Sequence, residues 1–126
     1  MEIIIPISYI KCALVTAAAK DVRYYLNGLA ILPHKTGAIL ESADGHRLTM
    51  LHIPGEFALP EGGAILPRDF CERIALGAGA TNVYIHHNGE TSAARITMDG
   101  HPEFLGVLMP VRVQDAPAAG DWAKEL

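Results

Sequence analysis

The chain has 126 residues, half of them hydrophobic, and a formal net charge of −4. That length fits one domain with a sizeable core, and the acidic balance excludes a chain that holds nucleic acid by its overall charge; a DNA contact needs a local basic patch. No apolar run approaches the roughly 20 residues that span a bilayer. The start, Met1-Glu2-Ile3-Ile4-Ile5-Pro6, lacks the basic opening and long apolar core of a secretory signal, so a soluble, cytoplasmic protein is expected.

Glu2 to Ile5 is a β-branched run that reads as a strand, stopped by Pro6. Ser8 is the natural N-cap of a helix expected over 9–20. Ile10, Ala13, Leu14 and Ala17 recur at helical spacing and form its buried stripe. Strands follow at 29–32 and 38–43, with a turn over 34–37. Asp44-Gly45 is a strong turn signal. From Arg47 to Ile53 the chain alternates as a strand does, with Leu48, Met50 and His52 on one face and Arg47, Thr49, Leu51 and Ile53 on the other. After a Pro- and Gly-rich loop over 54–63 the order repeats. A short strand at 64–66 leads to Pro67, suited to a first helical turn, and a helix to about 76 ended by Gly77 and Gly79. A strand over 82–87, the Asn88-Gly89 hairpin turn, a return strand over 90–98, the turn Asp99-Gly100-His101 and a last strand over 106–109 complete the second half. Val111 to Leu126 reads as a partly ordered extension with Trp122 as its anchor.

The domain thus reads strand, helix, three strands, twice over, and Asp-Gly-His stands at 44–46 and again at 99–101. This is an α+β arrangement, two helices on one face of antiparallel sheets. Cys12 and Cys71 fall in apolar helical patterns without metal-ligand spacing and are expected to be buried, reduced core residues.

The candidate chemistry is sparse. His86 and His87 are adjacent on a strand, so their rings point to opposite faces and do not share one ion. Ser42, Asp44 and His46 have the residue types of a nucleophile triad but lie within one strand and turn, with no nucleophile elbow. Gly77-Ala78-Gly79 follows a helix instead of opening one, so it is no phosphate loop. No cofactor, metal or catalytic residue is expected. Arg68 and Arg73 on the second helix have Glu72 and Asp69 at i,i+4 spacing; paired surface charge is the simpler reading, phosphate contact the functional one. Arg23 has Asp21 and Asp44 as candidate partners. Tyr25, Leu26, His46 and Leu48 could together line a semi-exposed apolar groove with a polar rim, a composition suited to a short peptide.

Arg23-Tyr24-Tyr25-Leu26-Asn27-Gly28 and Asp44-Gly45-His46-Arg47-Leu48 resemble the two most recognisable segments of the middle domain of the bacterial DNA polymerase III β sliding clamp. Ile65-Leu66-Pro67-Arg68 resembles that family's junction into the second helix. Met98 to Phe104, closing in Leu108-Met109-Pro110, resembles its Asp-Gly-x-x-Pro-x-Tyr stretch. The resemblance covers about residues 1–110, one clamp domain, with 111–126 as the extension.

The resemblance implies a DNA-clamp fold built from a duplicated β-α-β-β-β unit. It also implies a non-enzymatic replication factor whose domains join edge to edge into a ring on duplex DNA and tether DNA polymerase and other partners through a short linear motif. Carried over by position, the peptide-binding share falls on Leu26, Gly45, His46, Arg47 and Leu48, and the DNA-side share on Lys20 and Arg68. The chain departs from the family in several ways, and its helices are weakly basic. The family threonine before Asp-Gly is Ala43. A family basic residue in the second helix is Asp69. The chain holds one domain where the bacterial clamp has three, so the other half of the peptide pocket is missing. A self-assembled homo-oligomeric ring is the leading expectation. The rivals are an interaction module that binds clamp-binding peptides or the clamp without encircling DNA, and, third, a hydrolase using His46 and Asp44.

Overall fold

The computed structural model describes residues 2–17, 28–44, 46–55, 57, 59, 62–77, 79–87 and 93–110. The expected turn at Asn88-Gly89, the segment from Ala18 to Asn27 and the extension from Val111 lie outside them. Among the described residues nine strands and two helices follow in the order β1 (Glu2–Pro6), α1 (Ile7–Leu14), β2 (Gly28–His34), β3 (Gly37–Ala43), β4 (Leu48–Pro54), β5 (Ala64–Pro67), α2 (Arg68–Ala75), β6 (Asn82–His87), β7 (Ala93–Met98), β8 (Phe104–Val107) and β9 (Met109–Pro110). The repeated strand, helix, three-strand plan is therefore present, with β9 added at the end.

The two halves exchange their first strands. One sheet runs β1-β6-β7-β8 and the other β4-β3-β2-β5-β9, all neighbours antiparallel. β1 lies beside β6 of the second half, and β5 beside β2 of the first, so neither half completes a four-stranded sheet alone. The inner faces meet in one core. Ile3, Ile5, Ile85 and Ile96 come from one sheet and Leu29, Ile31, Leu40 and Leu66 from the other, with Ile10 of α1 and Ile74 of α2 between them, all at most 1% exposed. A smaller cluster of Ala30, Leu32, Ile39 and Ile65 occupies the opposite, outer face of the β2–β5 sheet, with Met50 and Met109 packed on it.

Each helix begins one residue after a proline. Pro6 and Pro67 are the N-caps, both in extended backbone, and neither helix start has a side-chain cap. Pro67 therefore stands before the first turn of α2, not within it, and Ser8 lies inside α1 as an exposed residue instead of capping it. The strand carries the chain up to each proline, whose fixed φ suits the exit. The Ile7 N–H then bonds Thr81 O at 2.9 Å, which draws Ile7 into the core and starts the helix early.

Three further expectations change. Cys71 is buried, and burial pushes its thiol up to about 12, but Cys12 is exposed because it falls on the solvent side of α1. Arg68 pairs with Glu72 (2.7 Å), whereas Arg73 stacks over the Phe104 ring at 3.9 Å in place of pairing with Asp69. The last strand is two: β8 pairs with β7, and after the buried Leu108 the chain crosses to pair β9 with β5. The two adjacent histidines do face opposite ways. His87 is buried, and His86 is half-buried against Glu2 (3.2 Å).

Candidate docking site at the first Asp-Gly turn

The Asp44 carboxylate organises the turn from β3 into β4. Its Oδ1 accepts the backbone N–H groups of His46 (2.9 Å) and Arg47 (2.8 Å), and its Oδ2 accepts Arg47 Nε (3.0 Å) and Nη2 (2.9 Å). Short Asp side chains favour this local bonding, which is why the residue type marks turns. The two backbone donors and the Arg47 guanidinium hold the Asp44 carboxyl down to about 2. Its support for the turn is therefore present above the ordinary carboxyl range and fades only as pH falls through about 2.

The same turn is fastened to the end of α1. Arg47 Nη2 donates to Val15 O (3.2 Å), and Ser42 Oγ donates to Ala13 O (2.6 Å). Thr16 Oγ1 lies 2.6 Å from Ser42 Oγ and 2.7 Å from Thr49 Oγ1, joining helix, β3 and β4. Arg68 Nη1 donates to Ala17 O (2.8 Å) from the other half. Two guanidinium groups thus sit at the C-terminal end of one helix, where the carbonyls lack partners and the dipole favours positive charge.

This arrangement separates residues that stand together in the sequence. Leu48 pairs with Ala43 and faces outward, 48% exposed. Arg47, one residue earlier, reaches back to the helix end. His46 is exposed at the tip. Leu26, Gly45 and Lys20 lie outside the described residues. Arg68 has two of its donors engaged by Glu72 and Ala17. Ser42, Asp44 and His46 form no relay: the Ser42 hydroxyl holds a helix carbonyl, and Asp44 bonds the backbone of His46, not its ring. Among the described residues no group of three His, Cys, Asp or Glu could hold a metal ion, and no helix is long and apolar enough to cross a membrane.

Sequence reasoning missed the part played by Thr16, Ser42 and Thr49. The alternation of β3 and β4 puts Ser42 and Thr49 on one inner face, but only the fold brings the helix end to them. It also missed Glu41. This residue is 2% exposed on the outer face, in register with Ala30 and Met50, and burial raises its carboxyl to about 7. On the same face Thr36 Oγ1 bridges His34 Nδ1 (3.0 Å) and His52 Nε2 (2.9 Å).

The fold as a whole has counterparts among solved proteins. No protein-family model matches the chain. Over almost its whole length it superposes on the DNA polymerase III β subunit of Pseudomonas aeruginosa, with TM-score 0.69 and 23% identity over 96% of this chain and 34% of that one. The chain has the fold of a sliding-clamp domain. A clamp from Bartonella birtlesii bound to griselimycin superposes equally well, with TM-score 0.69 and 21% identity over 95% of this chain and 34% of that one. A stretch of 51 residues is 41% identical to the β sliding clamp of Salmonella typhimurium, covering 40% of this chain and 14% of that protein. The chain spans about a third of the length of the solved clamps it matches. The expected α+β clamp fold is thus the fold observed.

Proposed function

We propose that this chain is a clamp-like, non-catalytic DNA replication factor that tethers DNA polymerase and other clamp-binding partners through the Asp44–Leu48 turn, as a subunit of a self-assembled ring. The observation that carries the reading is the turn itself. Asp44 and Arg47 lock its backbone, the helix end anchors it, and Leu48 is left exposed beside Ala43. A preorganised turn beside an exposed apolar side chain suits capture of a short peptide at low entropic cost. Leu26, Gly45 and His46 complete the proposed share of the pocket, and a second subunit supplies the rest.

Two measurements test it. Fluorescence polarisation with a clamp-binding peptide should detect binding, weakened by Leu48→Ala through lost contact and by Arg47→Ala through loss of the turn. Absence of peptide binding by the unaltered chain rejects the docking reading. Sedimentation should find an assembly of about six one-domain subunits, the number that closes a six-domain ring; a strict monomer at high concentration rejects the ring.

One observation favours the second reading, an interaction module that does not encircle DNA. Arg68 is held by Glu72 and Ala17 O, and α2 also carries Asp69 in its first turn. Retention on circular duplex DNA discriminates the two. A Lys20→Glu, Arg68→Glu double change should reduce retention if the helices line the hole, read beside the melting temperature because Arg68 also holds α1.

A further inference from the structure

One row of outer-face side chains crosses the β4-β3-β2-β5-β9 sheet in register: Met109, Ile65, Ala30, Glu41 and Met50. Four are apolar. The fifth is a carboxyl group buried in the middle of the sheet, and its Oε2 has no hydrogen-bond partner. Burying a carboxylate without a donor is expensive, and a β-branched apolar residue would fill the place without that cost. Among the described residues, the titratable groups near Glu41 do not relieve it. β4 offers His52 one row on, held at Nε2 by Thr36, and β2 offers His34 a row further. β5 and β9 present Ile65 and Met109.

The position of the row gives the unpaired acceptor a use. Ala43 lies two residues beyond Glu41 on the same face of β3, and Leu48 lies two residues before Met50 on the same face of β4. Glu41 and Met50 are thus the row directly behind the proposed docking rim, about 7 Å away. Met50 is half-buried, unbranched and adaptable, the side chain best able to swing aside.

We propose that Glu41 is a recognition residue for a cationic side chain, a Lys or Arg, carried by the segment that docks at Ala43 and Leu48. This rests on the docking reading above. The cation's aliphatic stem would lie along Met50 while its charged head supplies the donor that Oε2 lacks. Charge complementarity selects this occupant, because an acidic or apolar side chain would leave the acceptor unmatched. Protonation of Glu41 removes the attraction, so selectivity for the cation belongs to the alkaline side of about pH 7.

The test uses the full chain and two fluorescent peptides with the same apolar anchors, one carrying Lys beside them and the other norleucine. At pH 8 the Lys peptide should bind roughly tenfold more tightly. Glu41→Gln should abolish that preference while leaving norleucine-peptide affinity unchanged, and at pH 6 the preference of the unaltered chain should shrink. Equal binding of both peptides at pH 8 overturns the assignment of Glu41 and leaves the docking site standing. A failure of both to bind overturns the docking reading and this one with it. A Lys preference that emerges only after Arg112 and Lys124 are changed to Gln would assign the carboxylate to the chain's own cations and also overturn the proposal.

Discussion

The two halves of this molecule repeat an architecture and fasten their helices by opposite chemistry. At the end of α1 the last inward-facing residue before the turn is Ser42, and the junction is polar: Ser42 to Ala13 O, Thr16 between Ser42 and Thr49, and Arg47 to Val15 O. At the end of α2 the corresponding residue is Met98, and the junction is apolar. Met98 is 7% exposed and lies so close over Gly77 that an added Cβ there would come within 2.6 Å of its Sδ. A shallow cavity of about 230 Å³ remains beside it, walled by Leu76, Pro102 and Phe104 with Arg73 over the ring, and rimmed by His101 and Glu103.

The repeated Asp-Gly-His tripeptide does not predict this difference. Ser42 stands two residues before Asp44, whereas Met98 stands one residue before Asp99. The first turn closes with Ala43 opposite Leu48, and the second hairpin pairs Ile96 with Phe104. The tripeptide is thus displaced by one residue against the pleat, and a shift of one reverses every side chain. The shared letters mark a turn, and the register decides what the turn presents.

Four substitutions would break or sharpen the comparison. Met98→Ala should be the most damaging, by about 2–4 kcal/mol, because it empties packed volume in the core; a urea midpoint close to that of the unaltered chain would mean the second junction is not held by packing. Ser42→Ala should cost about 1–2 kcal/mol by removing two short hydrogen bonds, to Ala13 O and Thr16 Oγ1, although Ala13 O keeps the Thr16 N–H. If its loss is negligible, the polar network at the first junction is incidental to stability.

Glu41→Gln should act in the other direction. A carboxyl raised from 4.5 to about 7 keeps its proton longer in the folded chain than in the unfolded one, so stability declines as pH rises across that window and stays low above it. The amide should therefore stabilise the chain at pH 8 by on the order of 1–2 kcal/mol and change little at pH 4. A gain of equal size at both pH values would refute the charge as its origin. The smallest effect is expected for Arg73→Ala, about 0.5–1 kcal/mol for an exposed cation over a ring, measured as a shift in thermal midpoint that persists in high salt if stacking dominates over charge.

Element order, the position of α2 and the turn at Asp44 were legible in the sequence because each rests on neighbours in the chain, whereas α1, expected over 9–20, runs over Ile7–Leu14. Periodicity located Ile10 and Ala13 in the core, alternation separated Leu48 from Arg47, and among the described residues Asp44 bonds His46 and Arg47, within three positions of itself. Tertiary structure decided what depends on distant partners. The exchange of β1 and β5 between halves, the early start of α1 at Ile7 through Thr81, the meeting of Arg47 and Arg68 at one helix end, and the burial of Glu41 in an outer apolar row each join segments dozens of residues apart. Local pattern encodes which way a side chain faces along its own strand or helix. It does not encode which element will cover that face, and that covering turns Arg68 into a helix fastener and leaves Glu41 a carboxylate without a donor.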